Sequence, residues 1–234
     1  MRYAVYFTPE KSDPLTIAAQ AWLGRDVFSG EAIPATDHEG LTARDLWHHT
    51  AAPRRYGFHA TLVAPFHLAA GVSEQDLLAS IAGFTGTCEP FQIPRLEVAR
   101  LGNFYALTPA VPCEQLDDLA WSAVDHFNTL RAPLSEGEIE RRSLVGLSPR
   151  QFNYLVRYGY PYVRDEFRFH MTLTGSVADA TDGLETALAS YFSPIIAAPV
   201  SVDSITLFVE PERGAPFNVH SVHRFGRTEA RRYA

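Results

Sequence analysis

Two short segments of the sequence each place a histidine two residues before a threonine. Residues 56–62 are YGFHATL and residues 167–173 are FRFHMTL. Both carry an aromatic residue, then Phe, His, Thr and Leu at matching positions. Imidazole has an unperturbed pKa of about 6.5, so one histidine can accept a proton while another donates one near neutral pH. The repeat therefore predicts acid–base chemistry by His59 and His170, each with a threonine hydroxyl beside it.

Both motifs are predicted to lie on β-strands, where successive side chains point to opposite faces. His59 and Thr61 then share one face, and His170 and Thr172 share the matching face in the second motif. The opposite faces are apolar and suit a core covered by helices. A lone His-x-Thr is more often structural, but two copies in matching frames favour a catalytic pair that meets in one cleft if a pseudo-two-fold axis relates the halves.

Two arginines precede the motifs and are candidate phosphate ligands, because a guanidinium can bind a phosphate through two parallel hydrogen bonds. Strand alternation places Arg168 on the face of His170 and Arg55 on the face of His59. The alternative for each is an ordinary surface arginine. The pair Arg141-Arg142 is a further candidate that could fold over a second phosphate, although a solvated charge run is the more common role of such a pair.

Several aromatic residues lie on strands expected beside the cleft, where one of them could stack on a base or sugar. Core packing is the more frequent role of a strand aromatic. We predict Tyr105 and Phe217 as substrate-binding residues, with Tyr3 and Tyr6 as further candidates.

The order of predicted elements repeats along the chain and indicates an α+β fold with two similar halves. Residues 131–166 are irregular and are predicted to be an insertion or lid, with a short helix starting at Pro149. Strands are predicted over residues 2–7, 57–66, 91–101, 104–108, 167–174, 201–209 and 217–225. Helices are predicted after Pro14, over residues 43–49, after Ser73, and over residues 114–130 and 180–192.

Composition limits the kind of protein this can be. The chain has 234 residues, a formal net charge of −7 and a hydrophobic fraction of 46%, which excludes disorder and coiled coil. Its acidic balance makes long nucleic acid an improbable partner, since such proteins need a basic surface. Two cysteines, Cys88 and Cys113, exclude a disulfide scaffold. The sequence offers neither a membrane-spanning run nor a signal peptide, so we expect a cytoplasmic protein.

Other chemical signatures lack support in the sequence. It contains no Gly-x-x-x-x-Gly-Lys, Gly-x-Gly-x-x-Gly or Gly-x-Ser-x-Gly motif, so no nucleotide cofactor or serine nucleophile is predicted. The neighbours His48 and His49 diverge on a helix. His220 and His223 are three residues apart on a predicted strand and should point to opposite faces. We therefore predict no metal site and no cofactor.

The paired motifs resemble the signature of the 2H phosphoesterases. His59-Ala60-Thr61 and His170-Met171-Thr172 carry the match, and residues 207–210 through 217–220 are similar to the last hairpin of that family. Residues 2–9, 56–66 and 159–163 resemble one branch, which is encoded in bacterial gene clusters for phosphonate utilisation. The resemblance implies a single bilobal domain over residues 1–234, in which two pseudo-symmetric lobes of antiparallel sheet with flanking helices surround a central cleft.

The resemblance also implies metal-independent hydrolysis of a small cyclic phosphodiester. One histidine would take a proton from the attacking water and the other would give a proton to the leaving sugar oxygen. Thr61 and Thr172 would donate hydrogen bonds to the non-bridging oxygens, where negative charge accumulates. The sequence leaves open which histidine is the acid and which is the base.

The branch resemblance implies a specific substrate, a ribose cyclic phosphate that carries a second phosphate at position 5. Two alternatives remain open. One is an RNA 2′,3′-cyclic phosphodiesterase, and the other is a non-catalytic accessory protein that binds a phosphorylated sugar. In each case the expected partner is a small phosphorylated sugar or nucleotide, and the sequence identifies no protein partner.

Overall fold

A computed structural model describes residues 1–144, 146–177, 182–226 and 230–233. It contains ten strands and eight α-helices in these residues. The strands are β1 (Arg2–Phe7), β2 (Ala60–Phe66), β3 (Phe91–Ile93), β4 (Leu96–Leu101), β5 (Phe104–Pro109), β6 (Met171–Thr172), β7 (Val200–Val202), β8 (Ser204–Glu210), β9 (Asn218–Arg224) and β10 (Ala230–Arg232). The helices are α1 (Pro14–Leu23), α2 (Ala43–His49), α3 (Ala51–Tyr56), α4 (Glu74–Gly86), α5 (Glu114–Phe127), α6 (Glu136–Ser143), α7 (Pro149–Tyr158) and α8 (Asp182–Ile196).

The strands form an eight-stranded antiparallel sheet in the order β10-β9-β8-β1-β2-β6-β5-β4, together with a separate two-stranded sheet of β3 and β7. Each His-x-Thr motif lies at the start of a strand, with His59 immediately before β2 and His170 immediately before β6. These two strands are neighbours at the junction of the two halves. The predicted α+β class with antiparallel sheet and flanking helices is confirmed. The two halves meet edge to edge in one continuous sheet.

One face of the sheet is buried under helices and holds the main core. Val5, Leu62 and Met171 belong to this core, as the alternation of apolar residues predicts. The opposite face is covered by a smaller cluster, to which Tyr6 and Phe217 contribute. Fully burying one large apolar side chain contributes roughly 1.5–3 kcal/mol, so the strands are held in place mainly from the helix-covered side.

Residues 131–166 contain more regular structure than the sequence indicates. The helix predicted at Pro149 is present as α7. It is capped by Ser148 and ends at Gly159, whose φ of 73° is left-handed and suits glycine. A second helix, α6, precedes it, and Ser135 and Glu138 form a capping box at its start.

Several predicted strand boundaries are wrong. The strand predicted over 91–101 divides into β3 and β4, which belong to different sheets, because Pro94 cannot donate a hydrogen bond to the ladder. The strand predicted over 201–209 also divides, at Asp203, into β7 and β8, which belong to different sheets. The strand predicted over 167–174 is paired only at β6. Residues 180 and 181, where the last helix was predicted to begin, lie outside the described residues.

The described helices include none that combines the length and the apolar character needed to cross a membrane.

Candidate active site

The register of the two central strands brings the four motif residues together. Ala60 of β2 pairs with Met171 of β6 in antiparallel orientation. His59 therefore lies across from Thr172, and Thr61 lies across from His170, on the face opposite the main core. Directly opposed residues on antiparallel strands have Cβ atoms about 4.5–5.5 Å apart. The two imidazoles and two hydroxyls thus form a compact group.

This group opens into a cleft made of two adjoining cavities of about 680 and 430 Å³. His59 and Thr172 line the larger cavity and His170 lines the smaller one. Thr61 lines both, so the two cavities form one continuous site. Three aromatic residues are also shared between them: Phe104, Tyr160 and Tyr162.

His59 is held in one orientation by contacts on several sides. Its Nδ1 lies 2.9 Å from the Gly57 carbonyl oxygen, so the Nδ1–H donates there and Nε2 carries the lone pair. Nε2 lies 3.3 Å from Oγ1 of Thr61. The Tyr6 ring stacks on the imidazole with centroids 3.8 Å apart and an interplanar angle of 19°. These contacts leave Nε2 as the reactive atom.

The position two residues before His59 requires a glycine, Gly57. Its φ is 77°, and a Cβ added there would lie 1.8 Å from Cγ1 of Val27. Only glycine fits this backbone conformation and this close packing.

His170 repeats the same hydrogen-bonding arrangement. Its Nδ1 lies 2.8 Å from the carbonyl oxygen of Arg168, which is again the residue two positions earlier. Its ring lies 5.8 Å from that of Phe104 in a tilted arrangement. Both histidines thus use Nδ1 to bind the backbone and keep Nε2 for the cleft.

Burial lowers the pKa of both imidazoles. The pKa of His59 falls to about 4, chiefly through desolvation and further through the proximity of His170, although the hydrogen bond to Gly57 opposes the change. Desolvation also lowers the pKa of His170. Shifts of this kind are typical of groups that transfer protons in a site.

The predicted substrate-binding residues are distributed differently. Arg168 lines the smaller cavity next to His170. Arg55 lies in helix α3 and not on a strand, so strand alternation does not apply to it. Its guanidinium pairs with Glu210 at 2.5 Å and donates to the Ala215 carbonyl. Its predicted place on the His59 face is corrected: it lines a neighbouring cavity instead.

The two aromatic residues predicted to bind substrate are both buried outside the cleft. Tyr105 is 2% exposed, belongs to the main core and donates its hydroxyl to Glu185 at 3.3 Å. Phe217 is fully buried and stacks on Tyr56 at 5.3 Å. Neither lines the cavities that contain the histidines. This corrects the prediction: Tyr105 faces the main core, and Phe217, which immediately precedes β9, packs against Tyr6 and Tyr56 without lining the cleft.

Other residues of the cleft were missed or underrated by sequence reasoning. Arg2 and Tyr6 share a face of β1, which pairs with β2 so that Tyr6 is opposite Thr61. Tyr3, on the other face, is bonded to Glu74 away from the cleft. Alternation along residues 2–6 could have grouped Arg2 with Tyr6. The cleft wall is formed by Tyr56, Arg142, Tyr160 and Tyr162. Arg142 was a sequence candidate for binding a second phosphate, whereas the three tyrosines were not predicted as site residues.

No described group of three or more His, Cys, Asp or Glu residues has the arrangement of a metal site. The expectation that His220 and His223 point apart is nevertheless wrong. The β8–β9 ladder shifts register between its pairs Leu207–Ser221 and Phe208–Val219. This irregularity at His220 brings both rings to the Ser221 hydroxyl, at 3.0 and 2.8 Å.

Comparison with known proteins identifies the family. A family described as "Protein of unknown function (DUF1045)" matches residues 61–218. The chain belongs to the DUF1045 family. The matched residues include Thr61, His170 and Thr172, while His59, Tyr56 and β1 precede them.

Two curated relatives of this DUF1045 chain are described as ribose 1,5-bisphosphate phosphokinase PhnN. The one from Janthinobacterium sp. (strain Marseille) is 39% identical over 221 residues, which cover 92% of this chain and 49% of the relative. The one from Laribacter hongkongensis (strain HLHK9) is 37% identical over 221 residues and 94% of this chain. The DUF1045 chain spans about half the length of each, 49% and 50%.

Solved structures with a similar arrangement include one described as a phosphoesterase, with a TM-score of 0.44 and 13% identity. Another is E. coli LigT complexed with 3′-AMP, with a TM-score of 0.42 and 11% identity. Each likeness covers 97% of this chain and 98% of the other. Both scores lie below 0.5.

Proposed function

We propose that this DUF1045 chain hydrolyses a small cyclic phosphodiester, with its two motif histidines as general base and general acid. The observation that supports this most directly is the duplicated geometry across β2 and β6. Each imidazole binds a backbone carbonyl through Nδ1 and keeps Nε2 for the cleft. A group that binds a phosphate without reacting would not need two such imidazoles on facing strands.

The proposed reaction balances with water as the only co-reactant. Nε2 of one histidine takes a proton as the water oxygen forms a bond to phosphorus. The bond from phosphorus to one ring ester oxygen breaks, and the other histidine gives that oxygen its proton. The hydroxyls of Thr61 and Thr172 donate to the non-bridging oxygens as their charge grows. Proton exchange with solvent then resets the pair.

The surroundings of the two rings favour His59 as the base and His170 as the acid. His59 is stacked on Tyr6 and has its pKa lowered to about 4, so it remains neutral over most of the pH range. His170 has no comparable stacking partner within 5 Å among the described residues, so we assign the proton-donating role to it.

The proposed substrate is a ribose cyclic phosphate from phosphonate catabolism that carries a phosphate at position 5. This rests on the resemblance to the phosphonate-cluster branch and on the names of the two curated relatives. Opening a 5-phosphoribosyl 1,2-cyclic phosphate at the 2-oxygen would yield ribose 1,5-bisphosphate, the compound in those names. The kinase activity is not proposed for this chain, because residues 1–234 contain no Gly-x-x-x-x-Gly-Lys. The cytoplasmic location expected from the sequence stays a prediction.

Phosphorus NMR in the presence of EDTA tests the proposal. Purified protein is incubated with 5-phosphoribosyl 1,2-cyclic phosphate and, separately, with 2′,3′-cyclic nucleotides. We expect the ribosyl compound to be opened, with the activity lost in His59→Ala and in His170→Ala. His126→Ala is the matched control, since His126 is an exposed histidine of α5 bonded to Ser80.

Two other outcomes of this experiment would change the proposal. Opening of the nucleotides alone would replace the substrate with an RNA end. Failure to open either compound, with retained binding of a phosphorylated sugar, would replace the enzyme with a binding protein.

A further inference from the structure

A further cavity of about 600 Å³ lies next to the catalytic cleft and is strongly basic. We call it the arginine cavity. Its charged lining residues are Arg2, Arg55, Arg141, Arg142 and Arg213, with His67 and Glu138. Such a concentration of guanidinium groups is unexpected in a chain whose formal net charge is −7. A local basic pocket on an acidic protein indicates a specific anion and not a general attraction to polyanions.

The arginine cavity and the catalytic cleft share two residues. Arg2 and Arg142 line both the arginine cavity and the larger cavity that contains His59. Arg2 comes from β1, two alternations along the same face as Tyr6, which stacks on His59. Arg142 comes from α6 in the 131–166 segment. The arginine cavity and the catalytic cleft therefore adjoin each other at these two side chains.

A buried carboxylate orders one side of the cavity. Glu210 is fully buried, and it accepts hydrogen bonds from Arg2 Nε and Arg55 Nη2 at 2.5 Å each and from the Gly214 N–H at 3.0 Å. Desolvation would raise the pKa of Glu210, but these donors lower it to about 2. The carboxylate therefore stays ionised and holds two guanidiniums in fixed positions.

The remaining positive charge of the arginine cavity is only partly balanced, by Glu138. Among the described residues, Arg141, Arg142 and Arg213 form no ion pair. Arg142 donates to the Gly159 carbonyl at 2.6 Å. Burial lowers its pKa, and the neighbouring Arg2 and Arg141 lower it further, while Glu138 opposes them. Like charges held together in this way are stabilised when an anion binds among them.

We propose that the arginine cavity binds a phosphomonoester carried by the same substrate whose cyclic phosphate lies between His59 and His170. This inference rests on the proposed function and makes the second phosphate a requirement for efficient turnover. The planar guanidinium fork suits a terminal phosphate with three free oxygens. Arg2 and Arg142 stand between the two phosphates, and the specificity for a doubly phosphorylated sugar follows from that position.

The test compares two substrates that differ only in the second phosphate, 5-phosphoribosyl 1,2-cyclic phosphate and ribose 1,2-cyclic phosphate. Charge-assisted hydrogen bonds of this kind change affinity roughly 10- to 100-fold each. We expect kcat/KM to favour the phosphorylated compound by about 100-fold or more. Arg142→Gln and Arg213→Gln should reduce that preference at least tenfold. Arg95→Gln, which removes an exposed arginine outside the arginine cavity, is the control.

A binding measurement separates this inference from the proposed function. Ribose 5-phosphate carries only the phosphomonoester, and its affinity is measured by calorimetry for the wild type and for both variants. Weaker binding to Arg213→Gln supports the subsite even if no cyclic phosphate is opened, in which case only the proposed function falls. Equal binding to the wild type, Arg142→Gln and Arg213→Gln would overturn the subsite, whatever the turnover. Arg213 is exposed and has no described hydrogen bond, so its replacement should leave the fold intact.

Discussion

The two His-x-Thr motifs share a backbone hydrogen-bonding scheme but differ in what surrounds each imidazole. His59 follows a left-handed glycine at the end of α3 and is stacked on Tyr6. His170 lies two residues after Arg168, whose carbonyl oxygen binds its Nδ1, and its ring lies 5.8 Å from that of Phe104 in a tilted arrangement. The duplicated motif thus sets the tautomer of both rings, while the residues around each ring set the pKa of its imidazole. Two copies of one motif can acquire opposite roles without any change in the motif itself.

The largest expected effect tests the opposite roles directly. His59→Ala and His170→Ala should each lower kcat by about 10²–10⁴ on a sugar leaving group. With a phosphodiester whose leaving group is a nitrophenolate, which needs no proton, His170→Ala should regain most of its lost rate. His59→Ala should not. Recovery in His59→Ala alone would reverse the assignment, and steady-state kinetics on the two substrate classes decides between these outcomes.

Only the first motif has a glycine two residues before its histidine, so we expect a loss of folding stability when that glycine is replaced. Gly57→Ala should destabilise the protein by roughly 2–4 kcal/mol, because the added Cβ meets Val27 and the backbone is left-handed. Gly71→Ala is the matched control, with φ of 83° and no atom within 4 Å of its Cβ. Urea unfolding should show a smaller loss for Gly71→Ala, of about 1 kcal/mol. Equal losses would mean that close packing against Val27 is not what requires Gly57.

The pH dependence sharpens the comparison further. A neutral His59 is available above its pKa of about 4, and a protonated His170 is available below a pKa that burial lowers from 6.5. The profile of kcat/KM should therefore be bell-shaped, with its maximum between about pH 4 and 6.5 and a tenfold fall per unit on the alkaline side. A maximum above pH 7 would contradict the proposed division of roles.

The smallest expected effect comes from the stacking partner of His59. Tyr6→Leu should admit water to the His59 imidazole and raise its pKa toward 6.5. The acid limb of the kcat/KM profile should then move to higher pH, so that the pH range of high activity becomes narrower. Tyr6→Phe retains the stacked ring and should leave the acid limb in place. A changed rate with an unmoved acid limb would show that Tyr6 affects catalysis in some other way than through the pKa of His59.

Sequence reasoning succeeded where a periodic pattern carries the information. Alternation within residues 57–62 and 167–173 predicts which side chains share a face, and the structure places those faces as expected. It failed for Arg55, because a short helix interrupts the segment before His59. It failed for Tyr105 and Phe217 because alternation does not say what covers a face.

Arg142 was a sequence candidate for phosphate binding, but the position of the cleft wall itself was beyond prediction for another reason. Arg142, Tyr160 and Tyr162 reach the site from a segment whose place depends on packing between α6 and α7 and on the bond from Arg142 to Gly159. Contacts of this kind leave no spacing in the sequence. The same holds for the order of strands, which places β6 between β2 and β5.

The pairing of β2 with β6 also has a consequence for how the protein reaches its native state. This pair joins segments far apart in the chain, and β6 contributes only Met171 and Thr172 to it. Contacts with large sequence separation form slowly, because the chain loses the entropy of closing a long loop before it gains the energy of the contact. In a refolding experiment, we therefore expect helical signal to return first and phosphodiester turnover to return with the last phase. The return of activity would then report when β2 and β6 pair during refolding.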